Sequence, residues 1–143
     1  MLKKFNYVLL CLCIYLFTPI NYCSEELKPY RNELMSIVNE HCTIKQYNNP
    51  IHKYIYFKKL PGEEIGLCGV KRGGWKISID PDFWRTANED QKFELLAHEL
   101  SHCILLKDHV DNQGNYMYYR LDPIPKEIVK QQFIENLRSK CGR

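Results

Sequence analysis

Phe93, Leu96, Ala97, Leu100 and Ile104 recur at i, i+3, i+4, i+7 and i+11. This spacing predicts a helix with one apolar stripe turned to a core, and 143 residues allow a single modest core for it to serve. Thr86, with Glu89 three residues on, predicts a capping box at its start. Along the same stretch, "AHELSHCILLKDH" (residues 97–109) holds three of the five histidines, and these lie off the stripe. The helix therefore has a second, chemical face.

An apolar fraction of 45% with 13% aromatics excludes general disorder. The net charge of +3 is dispersed as single Lys and Arg residues, so no nucleic-acid partner is expected from it. "MLKK" followed by "FNYVLLCLCIYLF" has the layout of a secretory signal peptide, which predicts export, whether secreted, periplasmic or bound to the cell envelope. Residues 1–23 form this targeting segment and 24–143 a single domain. An uncleaved anchor is one alternative. Another is a lipidated Cys23, but "INY" before it departs from the lipobox of bacterial lipoproteins. Beyond residue 23, Cys42, Cys68, Cys103 and Cys141 suggest two disulfides, with three connectivities open.

Leu27, Tyr30, Leu34, Ile37 and Val38 predict a first helix over 26–41. "KYIYFKKL", "EIGLCGV" and "GWKISID" predict strands of a small antiparallel or mixed sheet. In the last of them Trp75, Ile77 and Ile79 alternate with Lys76, Ser78 and Asp80, the pattern of a half-buried or edge strand. Residues 107–124 read as irregular chain. Pro125 then reads as the N1 residue of a terminal helix with Ile128, Val129, Phe133, Ile134 and Leu137 on one face. The fold class is α+β, with helices at both ends of the domain and a sheet packed on the central helix.

His98 and His102, four residues apart on a helix, project from one face one turn apart and can reach one ion. Glu99 sits about 100° round the helix, where it can contact a metal-bound water without being a ligand. This is H-E-x-x-H, in which zinc takes two imidazoles and the glutamate is general base. A catalytic zinc needs a third protein ligand, and the chain offers Asp108 and His109.

Here the chain resembles small metzincin-type zinc metallopeptidases, whose motif is H-E-x-x-H-x-x-G-x-x-H followed by a Met-turn. A strict count puts the third ligand at Asp108, as in the snapalysin variant. One extra residue puts it at His109, the place used in a group of small bacterial metallopeptidases of the form "HELGHC-L-G-R-x-H". "ILLK" stands where the family has its glycine, with no residue suited to a left-handed turn, so a longer exit and His109 are favoured. Met117 in "GNYMYY" would be the Met-turn residue, and Tyr119, two residues on, a donor to the oxyanion. The resemblance implies a zinc-dependent endopeptidase acting on peptide or protein substrates, with strand 76–79 running beside an extended peptide. The alternative is a non-catalytic zinc- or peptide-binding exported domain on the same scaffold.

Overall fold

A computed structural model of the chain describes residues 21–142. Its elements are β1 (Asn21–Cys23), a 3-10 turn (Glu25–Leu27), α1 (Lys28–His41), β2 (His52–Phe57), β3 (Gly66–Lys71), β4 (Gly74–Ile79), α2 (Pro81–Thr86), α3 (Glu89–Leu100), a π-helical extension (Ser101–Leu105) and α4 (Lys126–Cys141). The fold is α+β, with a mixed four-stranded sheet in the order β1-β2-β4-β3. β1 and β2 are parallel, β2 and β4 are parallel, and β3 is antiparallel to β4.

The sheet is mixed, one of the two arrangements expected, because α1 carries the chain back between β1 and β2. One feature of it corrects the sequence reading. β4 is an interior strand, flanked by β2 and β3, and the edge expected at 76–79 lies instead at β3. The alternation in β4 misled because its polar positions are buried too: Ser78 is 3% and Asp80 4% exposed. Asp80 is satisfied by the backbone N–H groups of Leu60, Asp82 and Phe83 and by Lys59, which together hold its carboxyl down at about 2.

The capping box also moves. Thr86 ends α2, and the box that opens α3 is Asn88 with Gln91, each side chain accepting from the other residue's N–H. Pro125 stands at the N-cap of α4, one position before that expected. Most of the segment read as a signal peptide lies outside the described residues. Its last three residues form β1, with Cys23 buried and Ser24 N–H donating to Ile55 O, so a cut after Cys23 would remove a strand from the sheet.

The core packs where the stripe predicts: Phe93, Leu96, Ala97, Leu100 and Ile104 are all buried, against Ile77 and Ile79 of β4 and Val129, Phe133 and Leu137 of α4. α3 lies on β3, and its extension reaches both β3 and β4. Two disulfides, Cys42–Cys141 and Cys68–Cys103, select one of the three connectivities. No helix among the described residues is long and apolar enough to cross a membrane.

Glu94 is the most deeply buried of the acids among the described residues. It is 1% exposed, accepts from the backbone N–H groups of Ile124 and Asp122, and is pushed up to about 7 by burial first and by the Asp122 and Asp90 carboxylates after it. Its folded pKa exceeds that of an unfolded glutamate, so its contribution is fully present below pH ~4.5 and is lost as pH rises through about 7. Glu94→Gln keeps an acceptor for both amides without the charge. It is expected to flatten the fall in stability between pH 5 and 8, measured by denaturant unfolding of the metal-free protein. An unchanged slope would place the pH dependence elsewhere.

Candidate metal centre

His98 and His102 stand on successive turns, His98 in α3 and His102 in the π extension, while His109 returns from the following loop. Their Nε2 atoms converge: 3.0 Å between His98 and His102, 3.0 Å between His98 and His109, and 3.1 Å between His102 and His109. The three grade from buried through half-buried to exposed, so the cluster opens to solvent on the His109 side.

Two of the rings are fixed from behind. His98 Nδ1 bonds to the carbonyl of Tyr116 at 2.7 Å, and His102 Nδ1 to the carbonyl of Lys107. A carbonyl only accepts, so both Nδ1 atoms carry the proton and, in the neutral rings, both Nε2 atoms are bare. Burial holds the rings neutral, taking His98 down to about 4 and lowering His102. Two lone pairs therefore face each other at 3.0 Å whichever tautomer His109 adopts. A shared cation resolves that repulsion. Tetrahedral zinc with bonds of about 2.0–2.1 Å has ligand–ligand edges of roughly 3.3–3.4 Å, so the cluster needs only a small expansion to accept it. The His98/His102/His109 group could thus hold a metal ion.

The exit from the helix explains why His109 arrives and Asp108 does not. Leu106 N–H bonds to Ser101 O, a five-residue step that takes up one residue more than an α turn. Leu106 then adopts φ 53°, ψ 40°, and is 59% exposed. The expectation that "ILLK" lacks a left-handed residue is overturned: leucine itself takes that conformation. Asn48 closes the helix end, its N–H on Ile104 O and its side-chain amide on Cys103 O, both at 2.8 Å. Asp108 is exposed and acts on His102 only through its charge.

A leucine in the left-handed region is strained by roughly 1–2 kcal/mol, and an exposed side chain offers little packing in return. Glycine removes the strain but loses more freedom on folding, by roughly 0.5–1 kcal/mol. Leu106→Gly is therefore expected to be neutral or to stabilise by up to about 1 kcal/mol in chemical denaturation. A loss of more than 1 kcal/mol would mean that the leucine side chain holds the exit.

Glu99 is 5% exposed and raised to about 8, by burial first, against a lowering bond from the Cys68 N–H and with Glu64 adding to the rise. Met117 is fully buried in a tight turn, in which Tyr118 N–H donates to Asn115 O and Met117 N–H to Asn115 Oδ1. The residue before it supplies the carbonyl that orients His98. Tyr116 in turn is pinned by Ser101 Oγ and Asn136 Nδ2 on its hydroxyl and by Gln132 on its N–H. Tyr119 is 56% exposed, with its ring against Tyr118 and under Arg120; these contacts do not reach the histidines. Cys103, next to His102, is spent in a disulfide and supplies no ligand.

The orienting carbonyls of Tyr116 and Lys107 escaped sequence reasoning, since a backbone acceptor has no residue signature. Gly66 escaped it as well, although a glycine inside a strand pattern is itself a signal of close approach. A Cβ built there would lie 2.6 Å from Glu99 Oε1.

No family model, curated protein or solved structure matches this chain.

Proposed function

We propose that the chain is a zinc-dependent metalloendopeptidase in which His98, His102 and His109 hold the metal and Glu99 is the general base. The carrying observation is the convergence of three Nε2 atoms at 3.0–3.1 Å, two of them stripped of a proton by carbonyls behind the ring. Structural zinc sites favour four closed protein ligands. Three imidazoles leave a coordination position open, and they suit zinc among first-row metals.

The helix exit supports the resemblance to metzincins. Left-handed Leu106 precedes His109 by three residues, the offset between glycine and last histidine in H-E-x-x-H-x-x-G-x-x-H, and the π turn accounts for the one additional residue. The Met117 turn agrees with it. The two disulfides suit an exported protein, because such bonds persist in oxidising compartments.

When bound, zinc would supply Lewis acidity and bring the pKa of a water to about 7. Glu99, whose ionised form the charge of the bound cation would favour against its burial, takes the proton of the attacking water on its carboxylate and passes it to the leaving amine. The carbonyls of Tyr116 and Lys107 keep two of the ligand rings in the tautomer that presents Nε2. β3, which among the described residues pairs only with β4, offers its outer edge to an extended peptide, with Leu67 and Val70 exposed beside it.

The test is metal content by elemental mass spectrometry, with cleavage of a peptide library, on the wild type and on His98→Ala, His109→Ala and Asp108→Ala. About one zinc per chain is expected in the wild type and in Asp108→Ala, with metal and cleavage both lost in the histidine variants. A folded wild type that takes up no zinc on reconstitution overturns the reading. Zinc without cleavage makes the chain a zinc-binding domain on a peptidase-like scaffold.

A further inference from the structure

Edge strand β3 meets Glu99 at two residues, Gly66 and Cys68. At Gly66 there is no side chain where one would not fit: a Cβ there would stand 2.6 Å from Glu99 Oε1, 2.8 Å from Glu99 Cγ and 2.8 Å from Leu95 Cδ1. Two residues on, the backbone N–H of Cys68 donates to the Glu99 carboxylate. The side chain of the same Cys68 is bonded to Cys103, one helical turn beyond Glu99. A space without a side chain and a donor are thus delivered to one carboxylate within three residues of one strand, and a disulfide ties that strand to the helix's extension four residues further on.

Glycine inside a strand weakens it, because it has nothing to pack and loses the most freedom on ordering. Gly66 pairs with Ile79 of β4, in a row where an apolar side chain facing the helix would otherwise be favoured. The Glu99 side chain occupies that space. The hydrogen bonds that orient the His98 and His102 rings run to the carbonyls of Tyr116 and Lys107, not to β3. Ring orientation at the cluster and placement of the carboxylate are therefore set by different elements.

We propose that Gly66 is a positioning residue for Glu99: its missing side chain forms the slot in which the carboxylate lies against β3, and the Cys68 amide sets its orientation there. This rests on the reading of Glu99 as general base. Any side chain at 66 drives the carboxylate out of the slot while leaving the histidine cluster intact.

The experiment compares wild type, Gly66→Ala, Glu99→Ala and the double variant in the full chain, with three readouts. Zinc affinity is expected to stay within about twofold in Gly66→Ala, while kcat on the peptide cleaved fastest by the wild type falls by about 100-fold and KM changes less than about threefold. Exchange of the Cys68 amide with solvent deuterium, followed by NMR, is expected to quicken at least about tenfold in both Gly66→Ala and Glu99→Ala. The drop in thermal midpoint caused by Gly66→Ala should shrink by more than half when Glu99 is already alanine. If Gly66→Ala does not fold alone but the double variant does, the same coupling is shown. An unchanged Cys68 amide, additive thermal shifts, or zinc affinity falling in step with activity would overturn the proposal. A wild type that binds zinc and cleaves nothing would refute the peptidase reading only, since the amide and thermal readouts still decide whether β3 holds the carboxylate.

Discussion

Glu99→Gln in the zinc-loaded protein is expected to slow peptide cleavage by about 10²–10⁴-fold, the range that a positioned general base contributes. The substitution is close to a pure removal of basicity. Glutamine has the same length, so it still fits against Gly66, and its carbonyl oxygen can still accept from the Cys68 N–H. It cannot take a proton. Zinc content should be unchanged, because Glu99 is not among the grouped ligands. Elemental analysis on the assayed sample separates loss of the base from loss of the metal. Cleavage at the wild-type rate with zinc in place would remove Glu99 from the mechanism.

Opening Cys42–Cys141 should cost the fold more than any other single cross-link. The two cysteines are 99 residues apart, and the chain-entropy estimate for a loop of that length is about 4.7 kcal/mol. For Cys68–Cys103, with a separation of 35, the same relation gives about 3.8 kcal/mol. Both cysteines of the longer bridge are buried where the ends of α1 and α4 meet, so the bond is backed by packing around Leu137. Cys42→Ser with Cys141→Ser is expected to lose roughly 2–5 kcal/mol in denaturant unfolding, and the pair at 68 and 103 somewhat less. A loss below 1 kcal/mol would mean that the unfolded chain is already compact enough to keep the two helix ends together.

Local patterns in the sequence carried far. The Phe93 to Ile104 stripe and the H-E-x-x-H placement on the opposite face depend on neighbours within a few residues, and both are present in the fold. What was illegible depends on partners far along the chain. β4 reads as an edge strand because Ser78 and Asp80 are polar, yet Asp80 is buried by bonds to Leu60, 20 residues away in sequence. Asn88 displaces Thr86 as cap because the short helix α2 uses the residues before it. Leu106 gave no sign of its conformation, since nothing in its side chain favours the left-handed region; it stands at the close of the π turn, its N–H bonded back to Ser101 O. The third candidate ligand was narrowed to two adjacent residues by their place after H-E-x-x-H, with His109 favoured, and the register of the helix exit brings His109 to the cluster.

The longer disulfide has a consequence for survival among proteases. All of the irregular chain from 107 to 124, with exposed residues such as Asp108, His109 and Asp111 in it, lies between Cys42 and Cys141. A single nick there yields two fragments that remain covalently joined, so His98 and His102 on one side stay attached to His109 on the other when the break falls between them. Damage of this kind would appear as two bands on a reducing gel and one on a non-reducing gel, and the nicked molecule could close again around its histidines without having to find its other half.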